Sequence, residues 1–382
     1  MHPLRLIFGI AFLFSVLLDA FETVILPRRA TGRFRLTRLF YRMTWLPWRA
    51  GAERVRHARK RETLLSFYGP LSLVFLIGMW AGALIFGFAL IYFAFPMPFV
   101  DPHGAAHPFL SDLYVSGTTI FTLGLGDVVP NSLLFRGLVV IEAGIGLGFV
   151  ALVIGYFPVL YGAFSRREVN IALLDARAGS PPTAFELMKR HSFEGGSKAL
   201  VSLLEEWERW SAELLESHIS YPLLCLFRSQ HTSQSWLSGI TAILDTCALL
   251  IAGVQEESAR QAQLTFAMAR HALVDISQIL SQAPVTDGPD RLPPERFRAI
   301  YDQLCMAGVR VCRDDQSCSR LNELRKLYEG HAEALSQYLS MALPPFYIEH
   351  PKKDNWLSVA KVRAAAEAEQ RASAAEAEEH IF

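Results

Sequence analysis

The most chemically specific run in this chain is Thr122-Leu123-Gly124-Leu125-Gly126-Asp127. Glycines at alternate positions let the backbone take, at every second residue, angles that L-residues resist. Successive carbonyl oxygens can then turn toward one axis. A bare cation in a narrow passage needs such oxygen dipoles in place of its water shell. The carbonyls of Thr122, Leu123, Gly124 and Leu125, with the Thr122 hydroxyl, are the candidate ligands, and Gly126 completes the run. Asp127 would set a carboxylate beside them and raise the local cation concentration, with Asp101 adding to it. The plainer reading of Asp127 is a turn residue that caps local backbone.

Other residues invite chemistry with less force. Glu142 lies in an apolar stretch, where an acid near a bilayer centre costs about 2.5–3.5 kcal/mol, so it should face protein or water. It could bond the short helix before the glycine run, or Thr119; it could line a cavity; or it could pair with Arg136. Gly144, Gly146 and Gly148 resemble a dinucleotide loop only superficially, since no strand precedes them; close packing or a hinge fits better, and Pro158 should kink the same helix. Asp19 and Glu22 share one helix face and are expected to pair with Arg28, Arg29 or a neighbouring copy. Cys305, Cys312, Cys318 and His331 fit no common zinc spacing, and no nucleophilic triad, paired carboxylates or phosphate loop has usable spacing. Neither an enzyme nor a resident metal or cofactor is expected.

The elements that hold these residues follow from hydropathy. Of 382 residues 51% are hydrophobic and only 19% charged, with mean hydropathy +0.24. Zero net charge argues against a nucleic-acid partner, yet residues 1–165 carry +6 and residues 166–382 carry −6. Apolar runs at 4–26, 67–95 and 133–164 each exceed the roughly 20 residues a helix needs to cross hydrocarbon. The first is expected to be retained rather than cleaved, because basic residues follow it in place of a small-residue cleavage site. Residues 28–61 hold twelve Lys and Arg against one acid, so this segment should stay in the cytoplasm. It is also expected to lie against anionic lipid, with Tyr41, Trp45 and Trp48 at headgroup depth. That orientation puts the N-terminus outside and the C-terminal half inside. The segment 109–121 is too short to cross and reads as a helix, with Ser111 as its cap and Asp112 suited to its dipole.

Outer helix, re-entrant helix, T-x-G-x-G-D and inner helix, in that order, resemble the pore module of the potassium-channel superfamily. The two spans before the run and Val128-Val129-Pro130 after it are similar to bacterial members with a minimal ion-channel domain. The resemblance covers about 66–164 and implies a filter at 122–126 that binds K⁺ at Thr122, Leu123, Gly124 and Leu125. Leu123 and Leu125 replace the family's usual valine and tyrosine; Leu125 lacks the hydroxyl that bonds behind the filter. One loop supplies a quarter of a ring, so the resemblance requires four chains about one axis. No helix shows the arginine spacing of a voltage sensor.

Residues 168–382 read as mostly helix, with apolar residues three and four apart. The apolar stretch 236–254 contains Asp245 and is expected to be a buried core helix rather than a fourth span. The expected fold is an all-α membrane protein: three transmembrane helices, a re-entrant pore helix with filter loop, a helical cytosolic domain and a homotetrameric pore. Its divisions are 1–27, 28–65, 66–165, 166–358 and an Ala/Glu-rich helical tail at 359–382. The expected function is passive, potassium-selective conduction across the inner (cell) membrane. The expected partners are K⁺, the bilayer, further copies of the chain and a cytosolic regulator. A non-selective monovalent cation channel and a membrane-anchored signalling protein are the alternatives.

Overall fold

A computed structural model describes residues 1–26, 36–100, 108–230, 234–253, 258–309 and 315–348. Arg28, Arg29, Asp101, Cys312 and the tail at 359–382 lie outside the described residues. The chain divides into two compact units, Met1–Ala163 and Phe164–Phe382.

In the first unit, α1 (Pro3–Val24) opens on a proline, whose missing N–H costs nothing in a first turn. It runs antiparallel to α3 (Ala58–Phe93). The pairing is close because Gly9 and Gly87 face the partner helix. A Cβ on Gly9 would lie 3.0 Å from Ile91 Cγ1, and one on Gly87 would lie 3.4 Å from Leu13 Cβ. At the other end of the pair, buried Asp19 accepts from Trp80 Nε1 at 2.9 Å. It also accepts from Thr37 Oγ1 at 2.6 Å and from the Thr37 amide at 3.1 Å. The arginine partners expected from sequence, Arg28 and Arg29, lie outside the described residues.

The basic segment after α1 is not simply a linker. It contains α2 (Leu36–Glu53) and the first turns of α3. Trp45 is 1% exposed and meets the Tyr68 ring at a tilt, centroids 4.8 Å apart, while Trp48 Nε1 donates to the Leu64 carbonyl at 3.1 Å. Trp45 therefore packs between α2 and α3. The face of α2 that remains open carries Leu39 and Met43.

After α3 come β1 (Phe99–Val100), α4 (Pro108–Ile120), β2 (Val129–Pro130) and α5 (Leu133–Ala178). The strands pair antiparallel, Phe99 opposite Pro130 and Val100 opposite Val129. Asn131 adds a backbone bond to Pro98 O and a side-chain bond to Met97 O. The segment that holds α4 and the glycine run is thus closed at its base. Helix α4 starts at Pro108, so Ser111 and Asp112 lie inside it; Ser111 is not its cap.

Helix α5 continues past Arg166 and Arg167 into the second unit. Arginine is a good helix former, so two of them end an apolar run without ending a helix. The stop comes at Gly179, φ 82°, whose N–H bonds back to Asp175 O.

The second unit contains α6 (Ala184–Arg190), α7 (Gly196–Ser220), a 3-10 turn (Pro222–Leu226), α8 (Trp236–Gly253) and α9 (Ser258–Ile279). The series closes with α10 (Pro294–Met306), α11 (Asp315–Lys326) and α12 (Glu329–Leu339). Thr183 caps α6 by accepting from the Glu186 amide. Among the described residues four helices are long and apolar enough to cross a membrane: α1, α3, α5 and α8. They differ in their surroundings. Helices α1, α3 and α5 expose large apolar side chains such as Leu4, Phe75 and Val140, whereas α8 is enclosed by its own unit. Asp245 on α8 is neutralised there by Arg291, Nη2 to Oδ2 2.5 Å and Nη1 to Oδ1 3.1 Å, and accepts a hydrogen bond from Tyr328 OH at 2.5 Å. Just past the unit boundary, buried Arg167 donates to Leu224 O and Phe227 O, both at 2.8 Å.

Candidate ion-conduction site

Helix α4 turns its apolar side, Val115 and Ile120, into a cluster with Leu84 and Phe88 of α3. Its last turn closes by a reciprocal pair of bonds. Leu123 N–H reaches Thr118 O at 2.7 Å, and Thr122 N–H reaches Thr119 O at 2.9 Å. This is the Schellman arrangement, which needs a left-handed residue just past the helix. Thr122 fills that position at φ 57°, where glycine is usual. Left-handed values recur at Gly124, φ 52°, and Gly126, φ 76°, and are absent at Leu123 and Leu125. Alternating hand gathers N–H groups on one side of a strand and carbonyls on the other.

Crowding does not explain the two glycines. A Cβ built on Gly124 or Gly126 meets nothing within 4 Å, so the sign of φ alone calls for them. The Leu123 and Leu125 side chains are more than half exposed on the single chain. Asp127, just after the run, accepts from Tyr114 OH of α4 at 2.8 Å. Its carboxylate is thus held and remains at the surface.

Glu142 on α5 is fully buried. Its Oε2 accepts from Tyr92 OH of α3 at 2.6 Å, and its Oε1 accepts from Ser116 Oγ of α4. Of the partners considered from sequence, the short helix is the one reached, through Ser116 rather than Thr119; Thr119 contributes its carbonyl to the end of α4. One turn further along both helices, Gly146 meets the end of α4. A Cβ there would lie 2.5 Å from Ile120 O, so only glycine allows this approach. Gly144 and Gly148 have open space around them, and α5 runs as one helix through all three glycines and Pro158.

Several residues of this region escape sequence reading. Tyr92 looks like one more member of an apolar run, although a phenol placed there needs a partner. Ser116, Tyr114 and Asn131 are ordinary residue types without distinctive spacing. The left-handed Thr122 carries no signal at all, because its side chain argues against that conformation. Among the described residues no group of His, Cys, Asp and Glu could hold a metal ion.

A helix, a loop of alternating backbone hand and a long helix packed on its end make up this region. Residues 79–160 match the profile of a family described as "Ion channel", and the match runs from α3 through the glycine run into α5. This segment is therefore similar to ion-channel pore modules of the two-helix, potassium-channel-like kind. Over 273 residues the chain is 24% identical to YdjJ of Bacillus subtilis (strain 168), described as an uncharacterized membrane protein. That likeness covers 71% of this chain and 78% of the relative. It is longer than either compact unit, so it takes in parts of both. No solved structure matches. The chain thus carries a segment similar to ion-channel proteins, together with helices long and apolar enough to cross a membrane.

Proposed function

We propose that four copies of this chain form a potassium-selective channel in the cell (inner) membrane. Helices α1, α3 and the first part of α5 cross the bilayer, α4 re-enters it, and the second unit lies in the cytoplasm with the N-terminus outside. The basic segment 28–61 supports that orientation, since cationic loops stay inside. The observation that carries the reading is the left-handed series at Thr122, Gly124 and Gly126, set directly on the capped end of α4. Four such strands around an axis would stack rings of carbonyls from Thr122, Leu123, Gly124 and Leu125, and K⁺ would exchange its water shell for them. The C-terminal end of α4, with a partial charge of about half an electron, favours a cation waiting below. Asp127 would form an acidic ring at the outer mouth.

The second unit is a candidate regulator. Helix α5 is continuous from the pore module into it, and Arg167 fastens the far end of α5 to the 3-10 turn.

The test is a planar-bilayer recording from the purified full-length protein under a potassium–sodium gradient. A reversal potential near the potassium equilibrium value supports the proposal. A potential near zero assigns a non-selective cation pore instead, the outcome that the missing hydroxyl at Leu125 would favour. No current in any monovalent salt would leave a membrane-anchored interaction protein.

A further inference from the structure

We propose that Tyr92, Glu142 and Ser116 form a brace that holds the filter loop at its selective diameter, replacing from behind the support that Leu125 cannot give. The inference rests on the potassium-channel reading above and names the positioning residues of that same site.

Three observations carry it. The first is place. Glu142 has no exposed surface on the single chain, and further copies can only bury it more, so it stands behind the loop and outside any conduction path. The second is geometry. A carboxylate only accepts hydrogen bonds, and here each oxygen takes one donor from a different helix: Tyr92 OH of α3 at 2.6 Å, and Ser116 Oγ of α4. Tyr92 is itself held by edge contacts to Phe99 at 4.8 Å and Phe135 at 6.5 Å. The same Ser116 Oγ lies 3.0 Å from Ile85 O of α3. One turn on, Gly146 abuts Ile120, so α4 is registered against α5 at two successive levels. Thr122, the first left-handed residue, follows Ile120 by two positions. A sideways shift of α4 would therefore move the first carbonyl ring by the same amount.

The third observation is chemical economy. A leucine at 142 could fill the same space between α3, α4 and α5 without the cost of a buried acid. Bulk alone does not call for a carboxylate. Fixing two hydroxyls from two helices at one point does, because such bonds are strong and directional. Hydroxyls at residue 125 would brace the loop in the plane of the ring; position 125 here is leucine.

The experiment uses the full-length protein in planar bilayers with potassium on one side and sodium on the other. Wild type is compared with Glu142→Leu, Glu142→Gln, Tyr92→Phe and Ser116→Ala, with assembly checked by mass. Hydrogen bonds to a charged group are worth enough that Glu142→Leu should lower the potassium-to-sodium permeability ratio about tenfold. Tyr92→Phe and Ser116→Ala should each lower it less, and Glu142→Gln, which keeps shape and one acceptor, should fall between wild type and Glu142→Leu. Adding Tyr92→Phe to Glu142→Leu should change nothing further, since both remove one chain of bonds. An unchanged ratio in Glu142→Leu, or additive losses in the double variant, overturns the brace. Should Glu142→Leu fail to assemble, the single-hydroxyl variants decide, and wild-type selectivity in both overturns it. A wild type that passes no potassium current removes the channel reading itself, and the brace with it; a selective wild type beside a selective Glu142→Leu removes the brace alone.

Discussion

Thr122 holds a left-handed conformation that costs a non-glycine residue roughly 1–3 kcal/mol, and the bonds that close α4 hold it there. Gly124 and Gly126 take the same hand without that cost. Because nothing crowds their missing Cβ atoms, Gly124→Ala or Gly126→Ala should leave the first unit folded, with a loss of about 1–2 kcal/mol per chain. Either variant should nonetheless abolish selective potassium flux from loaded liposomes, and unaltered flux would show that the hand of the loop is not required. A second residue-scale prediction concerns His218, buried beside Arg167. Its Nδ1 donates to Leu214 O at 2.8 Å, and Arg167 Nη1 lies 3.4 Å from its Nε2. Desolvation, and then the nearby guanidinium, push its pKa down to about 3. The unfolded imidazole titrates near 6.5, so between these values the unfolded chain binds a proton that the folded chain refuses. Stability is therefore lost as pH falls below about 6.5, by up to ~1.4 kcal/mol per pH unit from this group. Thermal unfolding of the whole protein at pH 7.5 and 5.5 should show that drop, and His218→Gln should make it shallower.

Among the elements, α5 decides most. Its glycines at 144, 146 and 148 look equivalent in sequence, yet only Gly146 touches α4. Gly146→Ala should push α5 off Ile120 and reduce potassium conductance sharply, while Gly144→Ala should leave the folding of the single chain unchanged. Equal effects of the two on open probability would favour a hinge over a packing contact. Helix α8 makes a second element-scale case. Its hydropathy would suit a membrane span, but Asp245, Arg291 and Tyr328 tie it into the core of the second unit. Asp245→Ala removes the closer of the two carboxylates that Arg291 pairs with, leaving Glu329 at 3.3 Å, and should cost about 1.5–3 kcal/mol, read as a lower unfolding midpoint. The ends of α3 and α5 were not legible from hydropathy. Charged side chains mark where lipid would stop, but Lys and Arg continue a helix readily, so both helices overrun the apolar stretches.

At the scale of the whole molecule, one chain supplies a single strand of carbonyls, and the proposal stands on assembly. Mass measurement in nanodiscs should give four chains of 42.8 kDa. A monomer in native lipid would end the channel reading. Orientation has its own check, because all five cysteines fall within the second unit and Cys305 is exposed. A membrane-impermeant maleimide should label no thiol in intact cells and should label Cys305 once the membrane is opened. Hydropathy, the cationic segment and the spacing of the two glycines are properties of the chain written in one dimension, so the long apolar helices, the glycine-spaced run and the likeness to ion channels could be read from the residues alone. The partners of Glu142, the inward turn of Trp45, the contact of Gly146 with Ile120 and the burial of α8 could not. Each depends on which helix faces which, and side chains fifty residues apart, such as Tyr92 and Glu142, meet only when tertiary packing has fixed the register between their helices.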